Sequence, residues 1–310
     1  MILVFGGNGQ LGCDLVRAAQ RGGVALEALP RSAADVADAN AVGRALATFQ
    51  PALVVNAAAY TKVDQAEVEI AEAERGNAIG PAVIAAACEA AGVPLVHIST
   101  DYVFDGTKIG AYVEDDPVAP LGIYGRTKAA GETAVRNAAV RHVIIRTAWL
   151  YGEFGQNFLR TIVRLARERD ELRIVADQRG CPTSTRELAE AILRVSSKLA
   201  GGEQPWGEQP WGEQLWGTYH FAGAGIATWH DFAVRIVTRQ VALTGHGPKV
   251  TPITTAEYPT RAQRPKNSAF DCSQFERVFG FRARPWQSEV DELADIVLDP
   301  RRQSGRKDVA

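Results

Sequence analysis

Apolar runs at residues 1–5, 24–29, 53–58, 95–99 and 143–147, rich in valine, isoleucine and leucine, constrain this chain more than any other feature. Continuous runs of that length, without polar alternation, fit strands covered on both faces, as in a parallel sheet. Between them lie stretches at 12–21, 39–49, 67–91 and 125–137, rich in alanine, leucine, glutamate and arginine, which read as helices. The β-α-β-α-β order predicts an α/β fold, a Rossmann-like doubly wound parallel sheet with right-handed crossovers. Residues 1–150 are expected to form this nucleotide-binding domain, with some later segments returning to it. Residues 151–300 are expected to form a smaller, loop-rich C-terminal substrate domain. In that half, 157–169, 185–199, 229–244 and 288–298 look helical and 217–221 looks like a strand, while Pro252, Pro259 and Pro265 break the chain.

Composition narrows the classes further. Lys plus Arg is 34 and Asp plus Glu is 36, giving a formal net charge of −2, without the basic excess of a nucleic-acid binder. No run reaches the ~18 apolar residues of a membrane span. The apolar run at Met1 leaves no basic segment for a signal peptide. Cys13, Cys88, Cys181 and Cys272 lie far apart, without the paired spacing of a zinc site, and read as reduced thiols. A cytoplasmic protein without nucleic-acid or membrane partners, monomeric or a homodimer, is expected. Residues 203–217 repeat a five-residue unit as EQPWG, EQPWG, EQLWG. This reads as a surface loop lengthened by duplication, since Pro and Gly forbid regular structure there; a tryptophan docking platform is the weaker reading. The polar tail 301–310 is expected to fray.

Gly6, Gly9 and Gly12 follow the first strand and open the first helix. In a β-α turn, glycines at these positions allow a sharp bend, close approach of backbone to a pyrophosphate, and tight helix–strand packing. The amides at the helix start then face the phosphate charge. Where an NAD-preferring site places an acid after the second strand, this chain offers Arg31 and Ser32. Both suit a 2′-phosphate, so NADPH is the expected cofactor and NADH the alternative.

Tyr124 and Lys128 stand four apart at the start of a helix and share one face. The ammonium is expected to lower the tyrosine pKa and make the phenol a usable proton donor. Upstream, Ser99, Thr100 and Asp101 end a strand at the carboxyl edge of the sheet, where ligands gather in open α/β folds. His97, in the middle of that strand, reads as a satisfied core histidine, and Asn77 as structural.

Together these residues resemble those of extended short-chain dehydrogenase/reductases. More narrowly, the chain is similar to the dTDP-4-dehydrorhamnose reductase family in FGGNGQLG (5–12), NAAAYTKVDQAE (56–67), STDYVFDG (99–106), YGRTKAAGE (124–132), RTAWLYG (146–152), DQRGCPT (177–183), TWHDFA (228–233) and RPKNS (264–268). The stretches run in family order over nearly the whole chain.

The resemblance implies NADPH-dependent reduction of the 4-keto group of dTDP-4-dehydro-L-rhamnose, in dTDP-rhamnose biosynthesis for cell-surface polysaccharide. It implies Tyr124 as proton donor, Lys128 on the nicotinamide ribose, and Thr100 on the keto oxygen. Around the cofactor it places Gln10, Leu11, Asp35, Val36, Asn56, Ala57, Ala58 and Tyr60. On the sugar it places Val63, Asp101, Tyr102 and Trp149. For the nucleotide half of the substrate it suggests Asn157, Phe158, Gln178, Arg264 and Asn267, with Arg261 and Arg264 flanking a loop placed to close as a lid.

Some members of the family are described as using magnesium. Here Asp14 stands in the first helix, but Arg186 occupies a position where an acid is expected, so the residues do not support a metal. Two other readings stay open: another sugar-nucleotide reductase or epimerase of the same fold, and a non-catalytic nucleotide-binding regulatory subunit.

Overall fold

The structure is a computed structural model and describes residues 1–200 and 215–299. Among these residues, six parallel strands form the central sheet: β1 (Ile2–Phe5), β2 (Leu26–Leu29), β3 (Leu53–Asn56), β4 (Leu95–Thr100), β5 (His142–Thr147) and β6 (Gly217–His220). Their spatial order is β2-β1-β3-β4-β5-β6. The order reverses beside β1, so the crevice that receives ligands opens over the carboxyl ends of β1 and β3.

Helices cover both faces, as the apolar runs demand. On one face, α1 (Gln10–Gly22) packs beneath Ile2, Val4, Leu53 and Val55. On the other, α2 (Ala39–Phe49), α3 (Gly80–Ala91) and α4 (Ile123–Ala138) bury Val42, Leu46, Ile84 and Val135 against Leu3, Phe5, Val54 and Ile144. The fold class read from the sequence is the one observed.

The later half has its own core. There α5 (Phe158–Glu168) comes first, and α6 (Thr185–Ala200) returns to the sheet, packing Leu188, Ile192 and Val195 into the face of α1. Then α7 (Trp229–Thr244) and α8 (Trp286–Leu298) enclose Leu159, Ile162, Phe232, Ile236, Val290 and Leu293 together with α5. A parallel pair of strands, Glu171–Val175 and Lys249–Ile253, lies beside them. Thr228 and Asp231 fix the start of α7 with a reciprocal capping box.

Strand β6 enters the sheet at Gly217, opposite Val143 near the first residue of β5. It therefore begins at the amino edge of the sheet. The first two copies of the five-residue unit, the first two residues of the third, and the tail lie outside the described residues.

One helix was read too long. Residues 67–91 form not one helix but Ile70–Glu74, a wide turn at Arg75–Ile79, and α3, preceded by a short turn at Val63–Ala66. Pro81 has no N–H to return to the carbonyl of Asn77, so the helical register slips. The Gly80 amide accordingly reaches back five residues to the carbonyl of Arg75.

Candidate active site

The glycine turn is a cradle of bare backbone. Gly6 has φ +95°, and a Cβ there would meet the Ala58 nitrogen at 2.7 Å. A Cβ on Gly12 would meet the Gly6 carbonyl oxygen at 2.4 Å. The amides of Gly6 and Gly7 both donate to the Leu29 carbonyl, at 3.0 and 2.9 Å, which closes the turn on β2. Helix α1 starts after Gly9 without a side-chain cap, leaving its first amides to an anionic guest. A dinucleotide fits this cradle.

A cleft runs from the turn along Ala57, Ala58 and Tyr60 to Asp35, Val36 and Arg31. Arg75 and Glu72 complete its far wall. Ser32 is exposed in the turn beside Arg31, outside that lining. Leu11 faces the core rather than the cleft. Gln10 meets the amide of Asn157 at 3.5 Å. Asn56 stands behind the wall, fully buried, accepting the Ala58 amide and reaching His97 Nδ1 at 3.1 Å.

Asp35 is the anionic centre of the far end. The Ala37 amide, with the guanidinium groups of Arg75 and Arg31, holds its carboxyl below the usual range. Arg75 escaped the sequence reading because it sits in the wide turn that interrupts the expected helix. Asn77, in the same turn, brackets Tyr60, accepting its amide at 2.9 Å and donating to its carbonyl at 3.0 Å.

The groups expected to react lie where β4 ends and α4 begins. The Thr100 hydroxyl donates to Asp101 Oδ1 at 3.0 Å and accepts the Tyr102 amide at 3.2 Å. The Tyr102 and Tyr124 rings pack edge to face, 5.5 Å between centroids. Lys128 is buried and donates to the Ile98 carbonyl at 2.6 Å. Burial pulls its pKa down to about 8, with Glu132 opposing.

The tyrosine pKa departs from expectation. Burial and the neighbouring Asp101 carboxyl push the Tyr124 phenol up to about 12, against a hydrogen bond with Thr100. The Lys128 ammonium donates to the strand carbonyl, and burial outweighs whatever lowers the phenol. Burial also lifts Asp101 to about 6 and leaves its Oδ2 without a hydrogen-bond partner. His97 is only half satisfied, since its Nε2 has no partner, and burial holds its pKa well below the ordinary value.

Gly125 makes this junction possible. A Cβ there would lie 2.1 Å from the Tyr102 carbonyl oxygen, and backbone cannot yield as a flexible side chain can. Gly125→Ala is expected to lose about 1–3 kcal/mol of stability in urea unfolding, with reduced turnover because Tyr124 is its neighbour.

The residues assigned to the substrate fall into two groups. One is aromatic: Trp149, at φ +47°, stacks on Trp229 with centroids 3.6 Å apart and planes within 5°. Phe158 lies 4.7 Å from the same Trp229 ring. Asn157 caps α5 through the Arg160 amide. Trp229 was missed as a site residue; its only signal was the quoted TWHDFA stretch. The other group is polar. Arg264 gives its fork to Asp64, at 2.7 and 3.2 Å, and Asp64 also accepts the Ala262 amide at 3.1 Å. Val63 precedes Asp64 in the same short turn. Gln178 reaches Thr255 at 3.1 Å, and Asn267 holds the carbonyls of Lys108 and Gly110 at 2.7 and 2.8 Å.

A magnesium ion does not fit. Asp14 accepts the Thr185 hydroxyl at 2.5 Å, while Arg186 binds Glu289 at 3.0 Å and Glu292 at 2.6 Å. Guanidinium groups occupy the carboxylates a cation would need. Among the described residues no group of three or more His, Cys, Asp or Glu is gathered as a metal site. Among them, too, no helix is long and apolar enough to cross a membrane.

Residues 1–298 match the family model described as the RmlD substrate binding domain. A dTDP-4-dehydrorhamnose reductase of Aggregatibacter actinomycetemcomitans is 39% identical over 295 residues, 94% of this chain and 97% of the relative. The crystal structure of a dTDP-4-dehydrorhamnose reductase from Clostridium acetobutylicum superposes with a TM-score of 0.86 at 38% identity, covering 96% of this chain and 99% of that one. A Bacillus anthracis dTDP-4-dehydrorhamnose reductase, solved in complex with NADP, gives 0.84 at 34% identity, covering 94% and 97%.

Proposed function

The chain belongs to the dTDP-4-dehydrorhamnose reductase family, and from that premise we propose that it reduces the 4-keto group of dTDP-4-dehydro-L-rhamnose with NADPH, giving dTDP-L-rhamnose. The observation that carries this reading is the grouping of Thr100, Tyr124 and Lys128 at the end of β4, on the same carboxyl edge of the sheet as the glycine turn. The NADP bound to the Bacillus anthracis relative supports the choice of cofactor.

Bound in the cleft, NADPH supplies a hydride to the substrate carbon. Tyr124 then gives its phenolic proton to the oxygen on which charge grows. Burial and Asp101 keep that proton on the phenol at neutral pH, so the donor is loaded when the hydride arrives. Thr100 stabilises the same oxygen with its hydroxyl. Lys128, charged below pH 8, holds the nicotinamide ribose. Trp149 walls the sugar, and Asp101, Tyr102 and Val63 contact it. Arg264 takes the diphosphate in exchange for Asp64, while the later half, with Asn157, Phe158, Gln178 and Asn267, receives the nucleotide.

The test follows nicotinamide absorbance with purified protein, NADPH or NADH, and dTDP-4-dehydro-L-rhamnose. Stoichiometric oxidation, faster with NADPH, is expected. Turnover of a sugar nucleotide without net oxidation would turn the reading to an epimerase. Binding without any turnover would turn it to a regulatory subunit.

A further inference from the structure

Two arginines from separate segments converge on one carboxylate oxygen at the adenosine end of the cleft. Arg31 comes from the turn after β2, and Arg75 from the wide turn before α3. Arg75 Nη2 lies 2.9 Å and Arg31 Nε 3.3 Å from Asp35 Oδ2. The other oxygen, Oδ1, is pinned by the Ala37 amide at 3.0 Å. The carboxylate therefore cannot swing away, and it holds both guanidinium groups against the cleft they line.

We propose that Arg31 and Arg75 form a two-armed receptor for the cofactor's 2′-phosphate, with Asp35 as a built-in counterion that limits how strongly that phosphate is preferred. This rests on the reductase reading of the cleft. Each guanidinium has five N–H donors and spends few of them on Asp35, leaving the forks able to take phosphate oxygens. Glu72, 3.8 Å from Arg31 Nη2, is the second acid of the cluster. Two cations and two anions cancel before anything binds. A 2′-hydroxyl meets a neutral cluster, whereas a 2′-phosphate gains two forks and faces two carboxylates. The preference for phosphate is accordingly modest, about tenfold, not the thousandfold of an uncompensated arginine pair. Arg31 is largely exposed and Arg75 partly so, and the preference therefore shrinks as salt rises.

Calorimetric titration with 2′,5′-ADP and 5′-ADP tests the receptor. Arg75→Ala is expected to weaken 2′,5′-ADP about tenfold and to leave 5′-ADP unchanged. Asp35→Asn keeps the Ala37 contact, removes one negative charge, and is expected to tighten 2′,5′-ADP several-fold. A merely structural Asp35 would loosen both ligands instead. Equal losses for the two nucleotides, or no response of 2′,5′-ADP to Arg75→Ala, overturn the receptor while leaving the reductase intact. Failure of the unaltered protein to bind either nucleotide would instead remove the cofactor cleft, and the reductase reading with it.

Discussion

Tyr124→Phe is expected to bind NADPH as the parent does and to turn over about 10²–10⁴-fold more slowly. The substitution removes one oxygen and keeps the ring, so the edge-to-face contact with Tyr102 survives. What goes is the proton that burial and Asp101 keep on the phenol. The Thr100 hydroxyl cannot take over, because an aliphatic alcohol can donate a hydrogen bond to the substrate oxygen but is far too weak an acid to give its proton up. Stopped-flow turnover paired with fluorescence titration of NADPH separates the two effects. An unchanged kcat would remove Tyr124 from the reaction. Loss of cofactor affinity in parallel with kcat would make it a binding residue.

The second large effect is expected at Glu132, one helical turn beyond Lys128. It is fully buried and takes both arms of Arg146, at 2.9 and 2.8 Å, with Arg136 on the same oxygen at 2.7 Å. Arg146 is itself 2% exposed, and its remaining contacts are the Glu114 carbonyl, a neutral His220 and the face of Phe104. Removing the carboxylate strands a buried guanidinium inside the sheet. Glu132→Gln should therefore cost about 3–5 kcal/mol in urea unfolding.

Two pH effects accompany that loss. Burial works against the Glu132 charge, yet the Arg146 bonds hold its carboxyl down to about 2. A pKa depressed on folding means stability present above the ordinary carboxylate range and lost as pH falls through about 2, and the variant should lack this acid limb. Glu132 also supports the charge on Lys128, against burial. Activity of the parent should fall as pH rises through about 8, and in Glu132→Gln that limb should move to lower pH. A limb that stays in place would confine Glu132 to a structural role.

The sheet and the glycine turn were legible because each depends on residues adjacent in the chain. Unbroken apolar runs can hardly be anything but buried strands, and Gly6 needs only its immediate neighbours to declare a turn. Tyr124 and Lys128 were legible for the same reason, being four apart on one helix. Their electrostatics were not. Burial, which only the fold supplies, sets both, and Asp101, which raises the Tyr124 phenol further, comes from another strand end. Arg146 shows the limit most clearly. It sits inside an apolar strand, and only the fold reveals that Glu132 neutralises it. Arg264 binds Asp64 across 200 residues, a pairing that no periodicity encodes. Arg75 stayed hidden because Pro81 breaks a helix that alanine content alone would have continued.

The point where β6 joins the sheet bears on how this gene can change. All strands of the sheet run the same way, so the hydroxyls and the glycine turn gather at one rim, and Gly217 enters at the opposite rim. A tandem five-residue unit placed just before that entry can be copied or dropped by slippage in the coding sequence without altering the spacing of any group at the reactive rim. Closing a longer connection there costs little, since doubling its length adds only about 0.6 kcal/mol. Deleting one copy is therefore expected to leave turnover and substrate affinity nearly unchanged, which steady-state kinetics of the shortened chain would check.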